Sequence, residues 1–328
     1  MLDYSELSSI TTERIAMAES KLMYGIEHFG DVANILSKQI EDTPLKKESV
    51  RVNVLASSVN PIDIKTRMGL GFVAAHKKPE CFMGLGYDLY GQITDVGEQV
   101  TRFRKGQYVI GMVGFAFNPG CYSHQVDAHM SQLIILDKKE NLAIAGLCLS
   151  GLTALQALKR LPIVKDIPLF INAPTGGVGH IAVQLAKLQG RRVIALSSRP
   201  EHPLLKELNV KIMGYEAFYQ QRYHAQLLDL VGGEVALKLL GNLDKPSAVV
   251  SVPTISKEQV VEFAKNNDIN AQGMVVEVNN DDLNELYQAY RSGKLMIHMD
   301  KQFVMHDVAQ AHHYMQKAEH CGKVIIVT

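Results

Sequence analysis

A glycine cluster lies between two apolar segments near the middle of the chain. Residues 173–179, APTGGVG, follow the apolar run 169–171, and a second apolar run spans 193–196 after apolar residues at helical spacing. Strand, glycine turn, helix and strand within about 30 residues is the context in which a pyrophosphate approaches the backbone at a helix N-terminus. Pro174 holds the first place of the GxGxxG pattern, so the glycines alone are weak evidence. The flanking strands and helix favour dinucleotide binding over an ordinary tight turn. The expected backbone contacts come from Thr175, Gly176, Gly177, Val178 and Gly179.

The residues about 20 positions after this turn decide which dinucleotide fits. A site for NAD places a carboxylate there to bind a ribose hydroxyl, and that carboxylate would repel a phosphorylated ribose. Here the place is held by Ser197, Ser198 and Arg199, and the next acid is Glu201. Arginine makes paired, charge-assisted hydrogen bonds to a phosphate, and serines can donate to it. We therefore expect NADP(H); the alternative is that Arg199 is an ordinary surface side chain.

The elements around the turn divide the chain into two parts. Short alternating segments before residue 137 predict an antiparallel, barrel-like β region, with strands at 50–56, 93–96, 108–112 and 133–136. A helix is predicted at 141–160, and apolar strands then alternate with amphipathic helices, which predicts a parallel sheet covered on both faces. A helix at 281–293 and a strand at 324–327 follow. The first 20 residues fit neither part.

Composition argues against several classes of function. Lysine plus arginine equals aspartate plus glutamate, 34 each, so no global field attracts nucleic acid or an anionic membrane. The four cysteines form no CxxC pair, which argues against a disulfide framework and a four-cysteine zinc lobe. The N-terminus is not a secretory signal, and no run approaches membrane-spanning length. We expect a soluble, cytoplasmic protein that binds neither nucleic acid nor a membrane.

Several ordered motifs resemble the medium-chain dehydrogenase/reductase family, specifically its zinc-free quinone oxidoreductase (zeta-crystallin-like) branch. They are ASSVNPIDIKTRMG (56–69), GYDLYGQITDVGEQVTRFRKGQYVIG (86–111), GLTALQAL (151–158), APTGGVGHIAVQLAK (173–187), LLDLVGG (227–233) and AHHYMQKAEHCGKVIIV (311–327). The resemblance runs from about residue 21 to 328. It implies an α/β fold with a GroES-like β-rich catalytic domain (1–137 and 280–328) and a Rossmann doubly wound parallel sheet (138–279). It also implies an active cleft between the domains, at the carboxyl ends of the strands, and a homodimer.

The residues at the family's zinc positions differ from those of its zinc-dependent members. Those members carry a cysteine and a histidine where this chain has Asn60 and Tyr87. Without a thiolate and an imidazole, no tetrahedral N/S site forms there. His312 and His313 are adjacent, cannot share one helical face, and are interpreted as part of a solvated helix. We therefore predict no bound metal.

The resemblance implies catalytic roles for residues in the same region. Pro61 should hold the segment of Asn60 and Asp63 extended, with Asn60 beside the nicotinamide and Asp63 close behind it. The alternatives are a turn-forming amide for Asn60 and a helix cap for Asp63. Lys65 departs from the bacterial quinone oxidoreductases that this chain resembles, which often have a tyrosine at that place. It could stabilise a developing enolate or relay a proton, unless it is a solvent-exposed charge. Tyr87 could donate a hydrogen bond to a substrate carbonyl, unless it is a buried core tyrosine.

Further residues are implied to contact the cofactor or the substrate. Thr153 would contact the nicotinamide half of the cofactor, or else start a helix, and Tyr215 would pack near the adenosine phosphate, or else be a loop aromatic. The predicted strand 249–252 would pass along the nicotinamide through the backbone of Val250, Ser251 and Val252. Four apolar residues line a substrate pocket or pack in the core, namely Phe115, Phe117, Met83 and Met112.

These observations favour an NADPH-dependent, zinc-independent reductase of quinones or other α,β-unsaturated carbonyl compounds. Saturated alcohols would be poor substrates, because no metal would polarise their oxygen. One alternative is an NAD(P)-dependent alcohol dehydrogenase with an unrecognised zinc site. Another is a non-catalytic NADPH-binding sensor, because a fold does not establish chemistry.

Overall fold

The computed structural model describes residues 22–41, 43–78, 80–317 and 320–328. The described residues form two compact units, the first of residues 22–145, 301–317 and 324–328, and the second of 146–300 and 320–323. Residues 1–20, which fit neither part of the predicted fold, lie outside the described residues. The fold class is α/β, as predicted.

The strands, in chain order, are β1 (Leu22–Ile26), β2 (Ile35–Gln39), β3 (Ser49–Val59), β4 (Met83–Gly84), β5 (Asp88–Val96), β6 (Tyr108–Met112), β7 (Gln125–His129), β8 (Leu133–Ile135), β9 (Leu169–Asn172), β10 (Val193–Leu196), β11 (Lys211–Met213), β12 (Gln226–Asp229), β13 (Ala248–Ser251), β14 (Asn270–Gly273), β15 (Met299–Val304) and β16 (Lys323–Val327). The α-helices are α1 (Pro61–Arg67), α2 (Gly71–Ala74), α3 (Cys148–Lys159), α4 (Gly179–Leu188), α5 (Pro203–Glu207), α6 (Tyr215–Phe218), α7 (Gly233–Gly241), α8 (Lys257–Asn266), α9 (Asn280–Arg291) and α10 (Val308–Gln316).

Strand β3 is central to the larger sheet of the first unit, whose order is β15–β16–β3–β5–β6–β8. Along one edge β3 pairs antiparallel with β5, and along the other with β7 over residues 49–53 and with β16 over residues 56–59. Val50, Val52 and Val54 alternate into the core of this unit, as period-2 patterning requires. A smaller sheet has the order β2–β1–β4. This is the antiparallel β region that the sequence predicted.

The sheet of the second unit is parallel and has the order β11–β10–β9–β12–β13–β14. From β9 the chain builds outward first through β10 and β11, and then on the other side through β12, β13 and β14. This order is doubly wound, and its direction reverses between β9 and β12. Ligands of such sheets bind at the carboxyl ends of the strands beside that reversal, which directs attention to Asn172 and Asp229.

The change from the second unit back to the first comes later than the sequence suggested, at residue 301 rather than 280. Helix α9 stays in the second unit because its buried Leu283 and Leu286 form an apolar face. Its polar side is anchored to α3, where Lys159 Nζ donates to Asp282 Oδ1 at 2.7 Å. Gly293, with φ +71°, follows the helix as its predicted stop.

Residues Leu142–Lys159 are long and apolar enough, by length and composition, to cross a membrane. The prediction that no run approaches that length was therefore wrong. However, 83% of this segment is buried inside the protein. Its apolar character is thus explained by core packing, as in the buried helix of a soluble protein.

Helix α10 differs from the predicted solvated helix. His313 is exposed, whereas His312 is fully buried and its ring packs edge-on against Tyr122 with the centroids 5.7 Å apart. Neither ring nitrogen of His312 has a hydrogen-bond partner among the described residues. Burial, with Arg67 nearby, lowers the pKa of His312 to about 3. The interpretation was wrong for His312 because polarity alone does not reveal which of two adjacent residues faces the core.

Candidate functional site

The glycine turn joins the end of β9 to the start of α4, as the motif predicts. A Cβ atom on Gly179 would lie 2.1 Å from the carbonyl oxygen of Ala173, so only glycine permits this approach of the helix to the turn. Gly176 donates its N–H to the same oxygen at 3.0 Å, and Val178 immediately precedes the helix. The N–H of His180 donates to the carbonyl of Gly176 at 3.1 Å, and the other N–H groups of the first turn, which have no intrahelical acceptor, offer donors to a diphosphate.

His180 fixes this turn, although the sequence analysis did not select it. Its Nδ1 lies 2.9 Å from the carbonyl oxygen of Gly176, and its Nε2 accepts the N–H of His298 at 3.3 Å. Because Nε2 is the acceptor, Nδ1 carries the hydrogen and donates to Gly176. Burial lowers the pKa of His180 to about 4, so the ring is neutral at physiological pH.

A buried lysine also lies next to the turn. Lys323 is 2% exposed, and its Nζ donates to Ser150 Oγ at 2.9 Å. Its Cδ would be 3.1 Å from a Cβ on Gly177, and the neighbouring Gly322 donates its N–H to the carbonyl of Thr175 at 2.7 Å. A positive charge at this place favours an anion at the turn. No local sequence signal identifies Lys323, because it is distant in sequence from the glycine cluster.

The end of β10 carries the residues predicted to select the cofactor. Ser197 is buried and its Oγ accepts the N–H of Arg199 at 3.0 Å, whereas Ser198 and Arg199 are exposed. The next acid, Glu201, is exposed and pairs with Lys206 at 3.5 Å. A guanidinium and hydroxyls therefore stand where an NAD site has its carboxylate, and this donor set fits a ribose phosphate.

Tyr215 lies against the beginning of the glycine turn. It begins α6, and the backbone of Ala173 lies near its hydroxyl. Burial, with Tyr219 nearby, raises the pKa of Tyr215 to about 12, so the hydroxyl keeps its proton. Tyr215 therefore lies near the turn residues, and its contact with the cofactor stays a prediction.

Three polar side chains meet at the carboxyl ends of β9, β12 and β13. The buried carboxylate of Asp229 accepts the amide of Asn172 at 2.8 Å and the hydroxyl of Ser251 at 2.7 Å. It also accepts the backbone N–H groups of Val231 and Gly232 at 3.1 and 2.9 Å. Asn172 and Asp229 were missed, although each is the polar residue that ends a buried strand, a signal that the sequence does contain.

Three other residues predicted to contact the cofactor, Val250, Val252 and Thr153, lie in different surroundings. Val250 is buried in β13, and Val252 donates its N–H to the carbonyl of Asp229 at 3.0 Å. Thr153 lies within α3 rather than at a helix start. Its Oγ1 donates to the carbonyl of Leu149 at 2.7 Å, which leaves the oxygen able only to accept further hydrogen bonds.

In the first unit, Asn60 belongs to a buried polar cluster. Its backbone is extended, with φ −121° and ψ 153°, as expected for a residue before Pro61. The side-chain Nδ2 donates to Asp88 Oδ2 at 2.8 Å, and the hydroxyl of Ser58 donates to the same oxygen. Asp88 thus orients the amide of Asn60. This aspartate was missed, although it directly follows Tyr87 in the GYD motif.

Asp63 has the surroundings of a helix cap. It lies in the first turn of α1, and its Oδ2 accepts the N–H of Asn60 at 2.8 Å and the hydroxyl of Tyr122 at 3.0 Å. Oδ1 accepts the N–H of Gly86 at 3.3 Å. The predicted extended segment therefore ends at Asn60, because proline restricts the residue before it but readily begins a helix.

The ammonium of Lys65 and the hydroxyl of Tyr87 differ in burial and in hydrogen bonding. Lys65 is half-buried, burial lowers its pKa, and no ion pair or side-chain hydrogen bond of it occurs in the described part of the chain. Tyr87 is fully buried and donates its hydroxyl to the carbonyl of Ala116 at 2.7 Å, while its ring packs edge-on against Phe115. Burial, with Asp63 nearby, raises the pKa of Tyr87. Its only hydroxyl proton is therefore used within the core.

The four apolar pocket candidates are not equivalent. Met112 is fully buried, Met83 and Phe115 are half-buried, and Phe117 is 51% exposed. Phe117 packs against the ring of His76, with the centroids 4.5 Å apart. Met112 thus belongs to the core, and only the other three are accessible to a substrate.

The family's zinc positions do not suit a zinc ion in this chain. Asn60 offers an amide that already binds Asp88, and Tyr87 offers a protonated phenol that binds Ala116. Neither group is a usual zinc ligand. The residues present therefore do not fit the catalytic metal of the zinc-dependent relatives.

Two family models match the chain. Residues 46–154 match the alcohol dehydrogenase GroES-like domain, and residues 220–326 match the zinc-binding dehydrogenase model. The first match begins before β3 and ends within α3, and the second begins before β12 and ends within β16.

Individual proteins are similar over most or part of the chain. The structure of the quinone oxidoreductase from Coxiella burnetii matches with a TM-score of 0.88 and 33% identity, covering 94% of this chain and 99% of that one. The chloroplast envelope quinone oxidoreductase homolog of Arabidopsis thaliana is 28% identical over 206 residues, which are 60% of this chain but only 62% of the relative. The NADPH-dependent alkenal/one oxidoreductase of the same plant is 26% identical over 303 residues, covering 89% of this chain and 75% of the relative.

Proposed function

This chain belongs to the medium-chain dehydrogenase/reductase family, in its quinone oxidoreductase branch, and from that premise we propose that it is an NADPH-dependent, zinc-independent reductase of quinones or other α,β-unsaturated carbonyl compounds. The observation that carries the proposal is the donor set at the end of β10, where Ser198 and Arg199 are exposed beside the glycine turn's second strand. The names of the relatives, which include quinone and NADPH-dependent alkenal/one oxidoreductases, support the same substrate and cofactor classes.

The second unit is the part that binds NADP(H) in this proposal. The N–H groups at the start of α4 bind the diphosphate, and the charge of Lys323 favours it. Arg199 and Ser198 bind the phosphate on the ribose, and Tyr215 packs beside the turn. Thr153 and the backbone of residues 250–252 hold the nicotinamide half.

The first unit supplies the catalytic groups. When bound, NADPH supplies a hydride to the electron-poor carbon of the conjugated carbonyl substrate. Asn60, held by Asp88, orients the nicotinamide, and Asp63 holds Asn60 by its backbone N–H. Protonated Lys65 stabilises the negative charge that develops on the substrate oxygen. Phe115 and Phe117 provide apolar surface for the substrate.

The proposal also includes the cellular location and the oligomeric state of the protein. The described cysteines, Cys81, Cys121, Cys148 and Cys321, are all free thiols, which suits a reducing cytoplasm.

We infer a homodimer from the family resemblance, and light scattering of the purified protein would measure its mass in solution. A monomer mass would overturn that assignment.

The decisive experiment follows NADPH oxidation by the purified, chelator-treated protein on quinones, enones and enals, with NADH in parallel. We expect turnover with NADPH on at least one of these classes and weaker turnover with NADH. Saturated aldehydes are the matched controls and should react poorly, because no metal polarises their carbonyl. NADPH binding without turnover on the whole panel would support a sensor, and alcohol oxidation that requires added zinc would support a dehydrogenase.

A further inference from the structure

The second unit contains a cluster of metal-ligating side chains that the proposed function does not use. His298, Asp300 and Cys321 each direct one ligand atom to a common place, and these atoms lie within 4.8 Å of one another. The Sγ of Cys321 is 3.4 Å from His298 Nε2 and 3.4 Å from Asp300 Oδ1. Imidazole, carboxylate and thiol are three zinc-ligand types, and here they converge from two separate segments.

These distances suit tetrahedral zinc. With Zn–N and Zn–O near 2.0 Å and Zn–S near 2.3 Å, a tetrahedral site has nitrogen-to-sulfur and oxygen-to-sulfur edges of roughly 3.5 Å. Both distances from Cys321 Sγ agree with that edge to about 0.1 Å. The third edge, between His298 and Asp300, is at most 4.8 Å. Both residues are only half-buried, so side-chain rotation can shorten it.

The backbone holds the two ligand-bearing segments together. His298 donates its N–H to His180 Nε2 and accepts the N–H of Lys323 at 2.8 Å. Gly322 has φ +68°, and a Cβ there would lie 2.2 Å from the carbonyl oxygen of His298. Only glycine allows this approach, which brings Cys321 to His298 and Asp300. The ligand atoms are therefore preorganised, which lowers the entropic cost of binding an ion.

Charge and ligand type indicate which ion fits. The thiolate of Cys321 and the carboxylate of Asp300 together balance the charge of a divalent cation, and the thiol proton is released when the ion binds. A thiolate and an imidazole favour zinc over magnesium or calcium, which prefer oxygen ligands.

We propose that His298, Asp300 and Cys321 form a zinc-binding site whose fourth position is taken by water. It shares no residue with positions 60 and 87, where the zinc-dependent relatives have their ligands, and it lies in the other unit. The prediction of no bound metal considered positions 60 and 87 and two adjacent histidines. It did not consider these three residues, because nothing in their sequence spacing suggests a site. Its test counts bound zinc and does not require the proposed reductase activity.

The test counts zinc on the demetallated full-length protein after equilibrium dialysis against a limiting zinc chloride solution. We expect one zinc ion per chain in the wild type, and at least about tenfold weaker binding in Cys321→Ser and in His298→Gln. Cys81→Ser, which changes an exposed cysteine in the other unit, is the control and should bind zinc like the wild type. Circular dichroism would verify that each variant is folded.

Cobalt(II) provides a second readout that does not depend on stability. The wild type and Cys81→Ser should show a thiolate-to-cobalt charge-transfer band, and Cys321→Ser should lack it at saturating cobalt. Two results would overturn the proposal. One is a wild type that binds no stoichiometric zinc, and the other is a Cys321→Ser/His298→Gln double variant that binds zinc as tightly as the wild type.

Discussion

Asn60 and Asp88 are both fully buried, and the amide of Asn60 donates to Oδ2 of Asp88 at 2.8 Å. The hydroxyl of Ser58 donates to the same oxygen, so Asp88 acts there as an acceptor. A buried carboxylate is stable only when donors surround it. Position 60 must therefore supply a hydrogen-bond donor. This hydrogen bond orders the side chain of Asn60 at the position where the zinc-dependent relatives have a cysteine.

Asn60→Asp tests this relationship. The new carboxyl would face Asp88, and two buried carboxylates in contact cannot both ionise. We expect the free energy of unfolding to fall by about 3 kcal/mol at neutral pH. The loss should shrink as the pH falls, because the raised pKa of the pair lets one carboxyl become a donor. Urea unfolding at two pH values measures both effects. Asn53→Asp, an exposed residue of β3, is the control and should change stability by no more than about 0.5 kcal/mol.

Arg199→Ala tests the cofactor assignment. Loss of a charge-assisted contact to the ribose phosphate should raise the dissociation constant for NADPH by roughly 10- to 100-fold. The affinity for NADH, which lacks that phosphate, should stay unchanged. Arg192→Ala is the matched control, because Arg192 is also exposed but lies at the amino end of β10. Fluorescence titration measures the six affinities of these three proteins for the two cofactors. Equal NADPH affinity in Arg199→Ala and wild type would make Arg199 an ordinary surface side chain.

The sequence predicted strands and turns best where neighbouring residues determine the structure. Strands β6 and β10 begin and end where they were predicted, because apolar runs and neighbouring turn residues define both. The turn residues before α4 were found for the same reason. The doubly wound arrangement came only through the family resemblance, and the strand order was not predicted, because strand pairing joins residues far apart in sequence.

The supporting residues of the candidate site were mostly missed. Lys323 lies 173 positions from its partner Ser150, and Asp229 lies 57 positions from Asn172. No periodicity or motif spacing records such pairings. Asp63 shows the opposite case, since a helix cap was the alternative kept open for it in the sequence and its contacts in the structure are those of a cap. Roles that depend on neighbouring residues could thus be predicted from the sequence. The partners of buried polar side chains could be identified only from the folded structure.

His312→Phe tests the cost of a buried ring without hydrogen bonds. In the fold the pKa of His312 is lowered to about 3, below the value in the unfolded chain. The unfolded state therefore binds the proton first, and stability is lost as the pH falls from about 6.5 towards 3. The variant should lose less stability on acidification, by about 1.4 kcal/mol per pH unit within that window. Urea unfolding across this range measures the slope. His313→Gln, on the exposed side of α10, should leave the wild-type slope unchanged.

Lys65→Met tests whether the half-buried ammonium stabilises negative charge on the substrate. Removal of one such group should lower kcat for a quinone or enone by about 100-fold, with a smaller change in KM. Stability should not fall, because Lys65 has no ion pair or side-chain hydrogen bond among the described residues.

The pH profile separates charge stabilisation by Lys65 from a packing effect. Burial lowers the pKa of Lys65 from its usual value, so wild-type kcat should decline as the pH rises through that lowered pKa and the ammonium loses its proton. Lys65→Arg keeps a positive charge to higher pH, so its kcat should decline later even if it is smaller. Lys139→Met removes an exposed lysine of the same unit and is the control for a general change in charge. If Lys65→Met kept the wild-type kcat and pH profile, Lys65 would have no catalytic role, and the negative charge would be stabilised by another donor.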